Sequence, residues 1–100
     1  MEEIKKTIIW TDNAAKDLKE IYNFLANKSL ISANRIIDKI ITKPEILLKT
    51  KFYKMQQIDE YNPAYRRLIE GNYKIMYKEL DNNIVVFRVF DSRQNPIKSL

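Results

Sequence analysis

Apolar positions recur along this chain in two rhythms, first every three to four residues and later every second residue. The stretch Lys6-Thr7-Ile8-Ile9-Trp10 has the β-branched and aromatic content of a short strand. Thr11-Asp12-Asn13 then supply side-chain oxygens able to cap a helix entering at Ala14. Ala14, Leu18, Ile21 and Leu25 share one helical stripe, with Ala15 and Tyr22 beside them. Lys16, Asp17, Lys19 and Glu20 occupy the other side. This spacing predicts an amphipathic helix of about four turns, ending near Asn27. Ser29 or Ser32 is placed to cap a second helix, whose stripe is Ala33, Ile36, Ile37, Ile40 and Ile41. Pro44 argues against continuation past Lys43, leaving Ile46-Leu47-Leu48 as one further turn. The link at Lys28-Ser29 is so short that the two helices must lie antiparallel as a hairpin.

The period changes after Pro63. From Tyr65 to Asp91 the residues alternate, interrupted by turn chemistry at Gly71-Asn72 and at Asp81-Asn82-Asn83. Three strands are expected. One parity carries Tyr65, Ile69, Tyr73, Ile75, Tyr77, Val85, Phe87 and Val89, apolar enough to receive the helices, with Arg67 at its rim. The other carries Arg66, Leu68, Lys74, Met76, Lys78, Val86, Arg88 and Phe90, a mixed and wetter face. Between hairpin and strands, Lys49 to Pro63 mixes aromatic residues with lysines, which reads as a partly packed loop. The expected fold is α+β: a strand, an antiparallel helical hairpin, then a three-stranded antiparallel meander with the helices on one face. The pattern leaves open which strand the first one pairs with.

The 100 residues suit one domain, 1–100, with a small core. No apolar run approaches the roughly 20 residues that span a bilayer. The start Met1-Glu2-Glu3-Ile4-Lys5-Lys6 lacks the features of a signal peptide, so a cytoplasmic location is expected. The chain has no cysteine and no histidine. That removes disulfides, thiolate metal sites and the commonest general acid/base, so no metal and no cofactor is expected. The net charge of +5 is uneven: residues 1–48 hold eight Lys/Arg and seven Asp/Glu, residues 49–100 ten and six. The excess sits with the strands, as it would on a surface that meets nucleic acid or an acidic protein.

Three blocks of sequence together resemble the RelE/ParE toxins of type II toxin–antitoxin modules. Ile9-Trp10-Thr11, with Ala14/Ala15, Asp17-Leu18 and Ile21-Tyr22, is similar to the family's opening strand and first helix. Arg66-Arg67-Leu68, Gly71-Asn72-Tyr73-Lys74-Ile75 and Tyr77 resemble its arginine, glycine-turn and tyrosine pattern. Val89-Phe90-Asp91-Ser92-Arg93 stands where the closing strand often ends in an aliphatic-His-x-Arg run. The tail Arg93-Gln94-Asn95-Pro96 looks like that of a subset of these toxins.

The resemblance implies a growth-inhibiting bacterial protein neutralised by a cognate antitoxin encoded next to it. It also implies one of two targets: ParE-like members inhibit DNA gyrase, whereas RelE-like members cleave mRNA on the ribosome. A nuclease of this kind needs cations on the phosphorane and an acid/base pair. Arg66, Arg88 and Arg93 are the candidates for the cations, with Lys74 alongside and Lys49, Lys51 and Lys54 on the preceding loop as further target- or nucleic-acid-binding residues. Against catalysis, Asp91 stands in the place of the usual histidine, and nothing aromatic follows Phe90. Tyr53, Tyr61 and Tyr65 remain as donor candidates but match no pattern of the family. The balance favours a ParE-like binding inhibitor over a metal-independent endoribonuclease. A basic RNA- or protein-binding module without toxicity is the third alternative. The plain structural expectations are ion pairs for Arg66 and Arg88 with Glu70 or Glu79, a local pair of Asp91 with Arg93, and core positions for Tyr73 and Tyr77.

Overall fold

Thr11 ends the first strand and starts the first helix. The structure, a computed structural model, describes residues 7–50, without the side chains of 47–50, and residues 64–93. In chain order the elements are β1 (Ile8–Trp10), α1 (Asp12–Ala26), α2 (Leu30–Thr50), β2 (Arg66–Glu70), β3 (Tyr73–Leu80) and β4 (Asn83–Asp91). Thr11 is extended, and its hydroxyl accepts the Ala14 N–H at 3.1 Å, so it is the N-cap of α1. Ser29 does the same for α2, accepting the Ser32 N–H at 3.2 Å.

The sheet has four strands in the order β1-β4-β3-β2. β2, β3 and β4 form the expected antiparallel meander. β1 runs parallel to β4, with Ile8, Ile9 and Trp10 opposite Ile84, Val85 and Val86, which answers the question of its neighbour. A parallel neighbour requires a crossover of a dozen residues or more, and the intervening chain supplies it. The turn between β3 and β4 places Asp81 at φ 49° and Asn82 at φ 65°, the pair of left-handed residues that a type I′ hairpin demands. Gly71, at φ 58°, turns β2 into β3.

Two expectations from the sequence need correction. Helix α2 does not stop at Lys43 but continues through Pro44 to Thr50. Proline in a helix interior forfeits one backbone hydrogen bond, yet this ring is fully buried, and its packing offsets that loss. Lys49 therefore belongs to a helix by its backbone, not to a loop, while 51–63 lie outside the described residues.

The second correction concerns the sheet faces. The register between β3 and β4 shifts at Met76/Tyr77: Met76 stands opposite Arg88 and Tyr77 opposite Val86, leaving Phe87 as the extra residue of a β-bulge. The core consequently takes Ile84 and Val86 before the bulge and Val89 after it, not Val85 and Phe87. On β2 the core residue is Leu68, opposite Ile75, while Ile69 remains exposed. A one-residue insertion flips every later side chain, and strict alternation does not anticipate it.

The core lies between the helical hairpin and the sheet. Ala14 and Ile40 meet Leu68, Tyr73, Ile75, Tyr77, Ile84, Val86 and Val89 there, with Leu18, Ile21 and Leu25 packed against them. Tyr77 is buried in this layer, and burial pushes its phenol up to about 12. Ile40 is fully enclosed, so Ile40→Ala is expected to cost about 2–5 kcal/mol in urea unfolding. Ile31→Ala on the same helix, at a site 73% exposed, is expected to stay within about 0.5 kcal/mol of the parent.

Candidate functional site

β1 is only three residues long, so beyond Trp10 β4 loses its neighbouring strand. Helix α1 takes over that edge with side chains. The Thr11 hydroxyl donates to the carbonyl of Phe87, the bulged residue, at 3.1 Å. The Asp17 carboxylate accepts the Val89 N–H at 2.9 Å. The same carboxylate accepts Arg88 Nε at 2.8 Å and Nη2 at 3.1 Å, a two-pronged pair. Asp17 is thus buried and faces the sheet, although its polarity had put it on the outer side of α1. The available signal was its position three residues after Ala14 and four before Ile21, inside the apolar stripe. Arg88 is held more firmly in its charged form, first by the hydrogen bonds to Asp17 and then by the charges of Asp17 and Glu20.

A second pair closes the end of β4. Asp91 accepts the backbone N–H of Arg93 at 2.9 Å and its Nε at 2.9 Å, and Nη2 lies 2.5 Å from the other carboxylate oxygen. These bonds hold the Asp91 carboxyl below the usual carboxylate range. Ser92 fastens this end to the first hairpin, donating its N–H and its hydroxyl to the Asn72 carbonyl at 2.6 and 2.9 Å. Tyr73 stands opposite Asp91; burial, and then the Asp91 charge, push its phenol up.

The two pairs line one cleft of about 330 Å³ between α1 and the end of β4. Asp17, Glu20, Ile21 and Phe24 form one wall, facing Val89, Phe90, Asp91 and Arg93 across it. Among the described residues its walls carry the carboxylates of Asp17, Glu20 and Asp91 and the guanidinium groups of Arg88 and Arg93, with the Lys28 ammonium over the ring of Phe24 and that of Lys74 over the ring of Phe90.

Of the residues proposed from the sequence, the structure brings Arg88 and Arg93 together here, keeps Lys74 on the same sheet face as Arg88, and puts Arg66 elsewhere. Arg88 pairs with Asp17 of α1, not with Glu70 or Glu79 across the sheet. Arg66 stands opposite Tyr77 on the helix-facing side, close enough for its charge to act on that phenol. Lys74 is buried opposite Phe90, its ammonium 5.4 Å from the ring centroid. Lys74 and Arg88 therefore share the sheet face expected of them, while Arg66 lies on the other. Tyr65 packs edge-on against Phe87 at 5.2 Å with Lys78 over both rings. Lys51, Tyr53, Lys54 and Tyr61 lie outside the described residues, as does the side chain of Lys49.

Asp17→Ala strands both the Arg88 charge and the Val89 N–H. It is expected to cost about 2–4 kcal/mol in denaturant unfolding, less than a fully buried pair would because Arg88 keeps a third of its side chain in water. Asp17→Ala combined with Arg88→Ala should cost less than the two single losses added together. Asp91 should titrate by carboxyl NMR below the ~3.9 of a free aspartate, and Arg93→Ala should raise that midpoint. Because the folded value is depressed, the pair's contribution is full above the unfolded value and is lost as pH falls through the folded one.

Comparison with known proteins agrees with this architecture. The family described as the ParE toxin of the type II toxin–antitoxin system parDE matches residues 8–96. The chromosomal ParDE system from P. aeruginosa superposes with a TM-score of 0.73 at 20% identity, covering 86% of this chain and 95% of that one. The RelBE2 toxin–antitoxin complex from Mycobacterium tuberculosis gives 0.61 at 17% identity, over 88% and 99%. No curated protein matches the sequence at a significant level. These two structures share the fold, and the family match spans nearly every element described above, so the chain belongs to the ParE toxin family of type II toxin–antitoxin systems.

Proposed function

We propose that this toxin acts by binding rather than by cutting, with DNA gyrase as its target and a cognate antitoxin as its neutralising partner. One domain, residues 1–100, carries the whole activity. The observation that carries this reading is the state of the two arginines at the end of the sheet. Arg88 is committed to Asp17 and Arg93 to Asp91. An arginine that must stabilise a phosphorane needs its donors aimed at the developing charge. These donors are aimed at carboxylates, and Glu20 adds a further negative charge beside them.

Asp91 stands where the resemblance places a histidine, and its neighbours hold it as an anion. An anion donates no proton to a leaving group at neutral pH. The family match supports gyrase over the ribosome as the target. The antitoxin follows from the same family and from the two structural neighbours, both toxin–antitoxin assemblies by their descriptions.

Purified protein should inhibit gyrase supercoiling in a concentration-dependent way and leave mRNA intact in a translating extract, and equimolar antitoxin should restore supercoiling. Cleavage of mRNA that is lost in Arg66→Ala or Arg88→Ala with the fold retained, alongside unaffected supercoiling, would sink the proposal in favour of an mRNA interferase.

A further inference from the structure

Helix α2 buries one side and leaves a patterned stripe on the other. Ala33 and Ile40 are fully enclosed, with Ile36 and Ile37 packed against the core beside them. At about 100° per residue, Ile31, Arg35, Asp38, Thr42 and Ile46 gather on the opposite side, facing away from the sheet. Ile31 is 73% exposed and Ile46 57%, two large aliphatic side chains in water at the ends of a stripe about 22 Å long. Arg35, Asp38 and Lys39 lie exposed between them, and Glu45 stands next to Ile46. Among the described residues none of these four charges makes an ion pair, although Arg35 and Asp38 are one turn apart. The Thr42 hydroxyl is turned back on its own helix and donates to the Asp38 carbonyl at 2.9 Å, so it needs no outside partner.

The order of these residues complements itself when reversed. A second α2 turned end for end about a point between Asp38 and Lys39 sets Ile31 against the partner's Ile46 and Asp38 against the partner's Lys39. Arg35 then meets the partner's Thr42 and comes within one turn of the partner's Glu45. A slip of one residue sets Asp38 against itself or Lys39 against itself, and a parallel arrangement sets every charge against its own copy.

We propose that α2 is the interface of a symmetric dimer, the two outer stripes packed antiparallel with isoleucines at both ends and ion pairs between them. Such a contact is isologous, the same surface on both copies. The helices then lie at the centre of the assembly and the two sheets outside. A nucleic acid laid on this stripe would meet the carboxylates of Asp38 and Glu45, and a lipid surface would have to take up the same two charges. One helix a side makes a small seam, so the dimer is reversible. This goes beyond the choice of target and does not depend on it.

Sedimentation velocity of the full chain over roughly 1–500 µM tests the proposal. The mass should rise from monomer to dimer with concentration. Ile31→Asp should raise the midpoint about tenfold or more, and circular dichroism should show an unchanged fold at this exposed site. Two further variants segregate the charges: Arg35→Glu with Lys39→Glu, and Asp38→Lys with Glu45→Lys. Each should be monomeric alone, and their mixture should form a heterodimer that Ile31→Asp in either chain weakens. Monomer mass throughout the range overturns the proposal. So does a dimer that persists unchanged in Ile31→Asp and in both charge variants, because its contact then lies elsewhere. A parent that stays monomeric while Ile31→Asp weakens its binding to the antitoxin also overturns it, and assigns the stripe to that partner.

Discussion

Asp17 sits at the junction on which the rest of the molecule depends. β1 covers only the first part of β4, and the bulge at Phe87 breaks the ladder on the other side, so the middle of β4 needs partners from elsewhere. Thr11, the N-cap of α1, and Asp17, six residues on within the helix, supply them to the Phe87 carbonyl and the Val89 N–H. A buried backbone donor without a partner would cost about 1–3 kcal/mol, so the acid is required where the fold most needs apolar contact. Burying that acid requires a cation, and Arg88 provides it at 2.8 Å. One shortened strand thereby dictates a helix cap, a buried carboxylate and the commitment of an arginine.

That commitment shapes the surface around it. An arginine on the closing strand of such a sheet is well placed to hold an anionic ligand, yet here its charge is spent on keeping α1 against β4. The Asp91–Arg93 pair repeats the arrangement one turn of chain later, where Ser92 also anchors the strand end to the first hairpin. What emerges is a cleft whose two guanidinium groups are each paired with a carboxylate, bordered by an exposed aromatic.

Much of this fold was visible in the sequence because the signals were local. The cap at Thr11, the hairpin link at Lys28-Ser29, the Asp81-Asn82 turn and the alternation along Tyr73-Ile75-Tyr77 each follow from bonds within a few residues. Pro44 misled because its local cost is real, while the burial that offsets it comes from distant residues. Val85 and Phe87 were assigned to the wrong face because the bulge belongs to the pairing of two strands, not to either strand alone. Among the residues named from the sequence, Arg88 and Arg93 line one cleft. Their partners differed in legibility: Asp91 is two residues from Arg93, whereas Asp17 is 71 residues from Arg88.

The sequence by itself determined the types and order of the elements, the α+β class, the family resemblance and the chemical poverty of a chain without histidine or cysteine. Periodicity, capping and composition act over a few residues, so they can be read along a line. Only the tertiary structure decided where β1 pairs, how the bulge turns β4, and that Arg88 belongs to a carboxylate on α1. Charges act through space. Whether an arginine is free to meet a ligand depends on which acid the fold has folded against it, and here the fold brings Asp17.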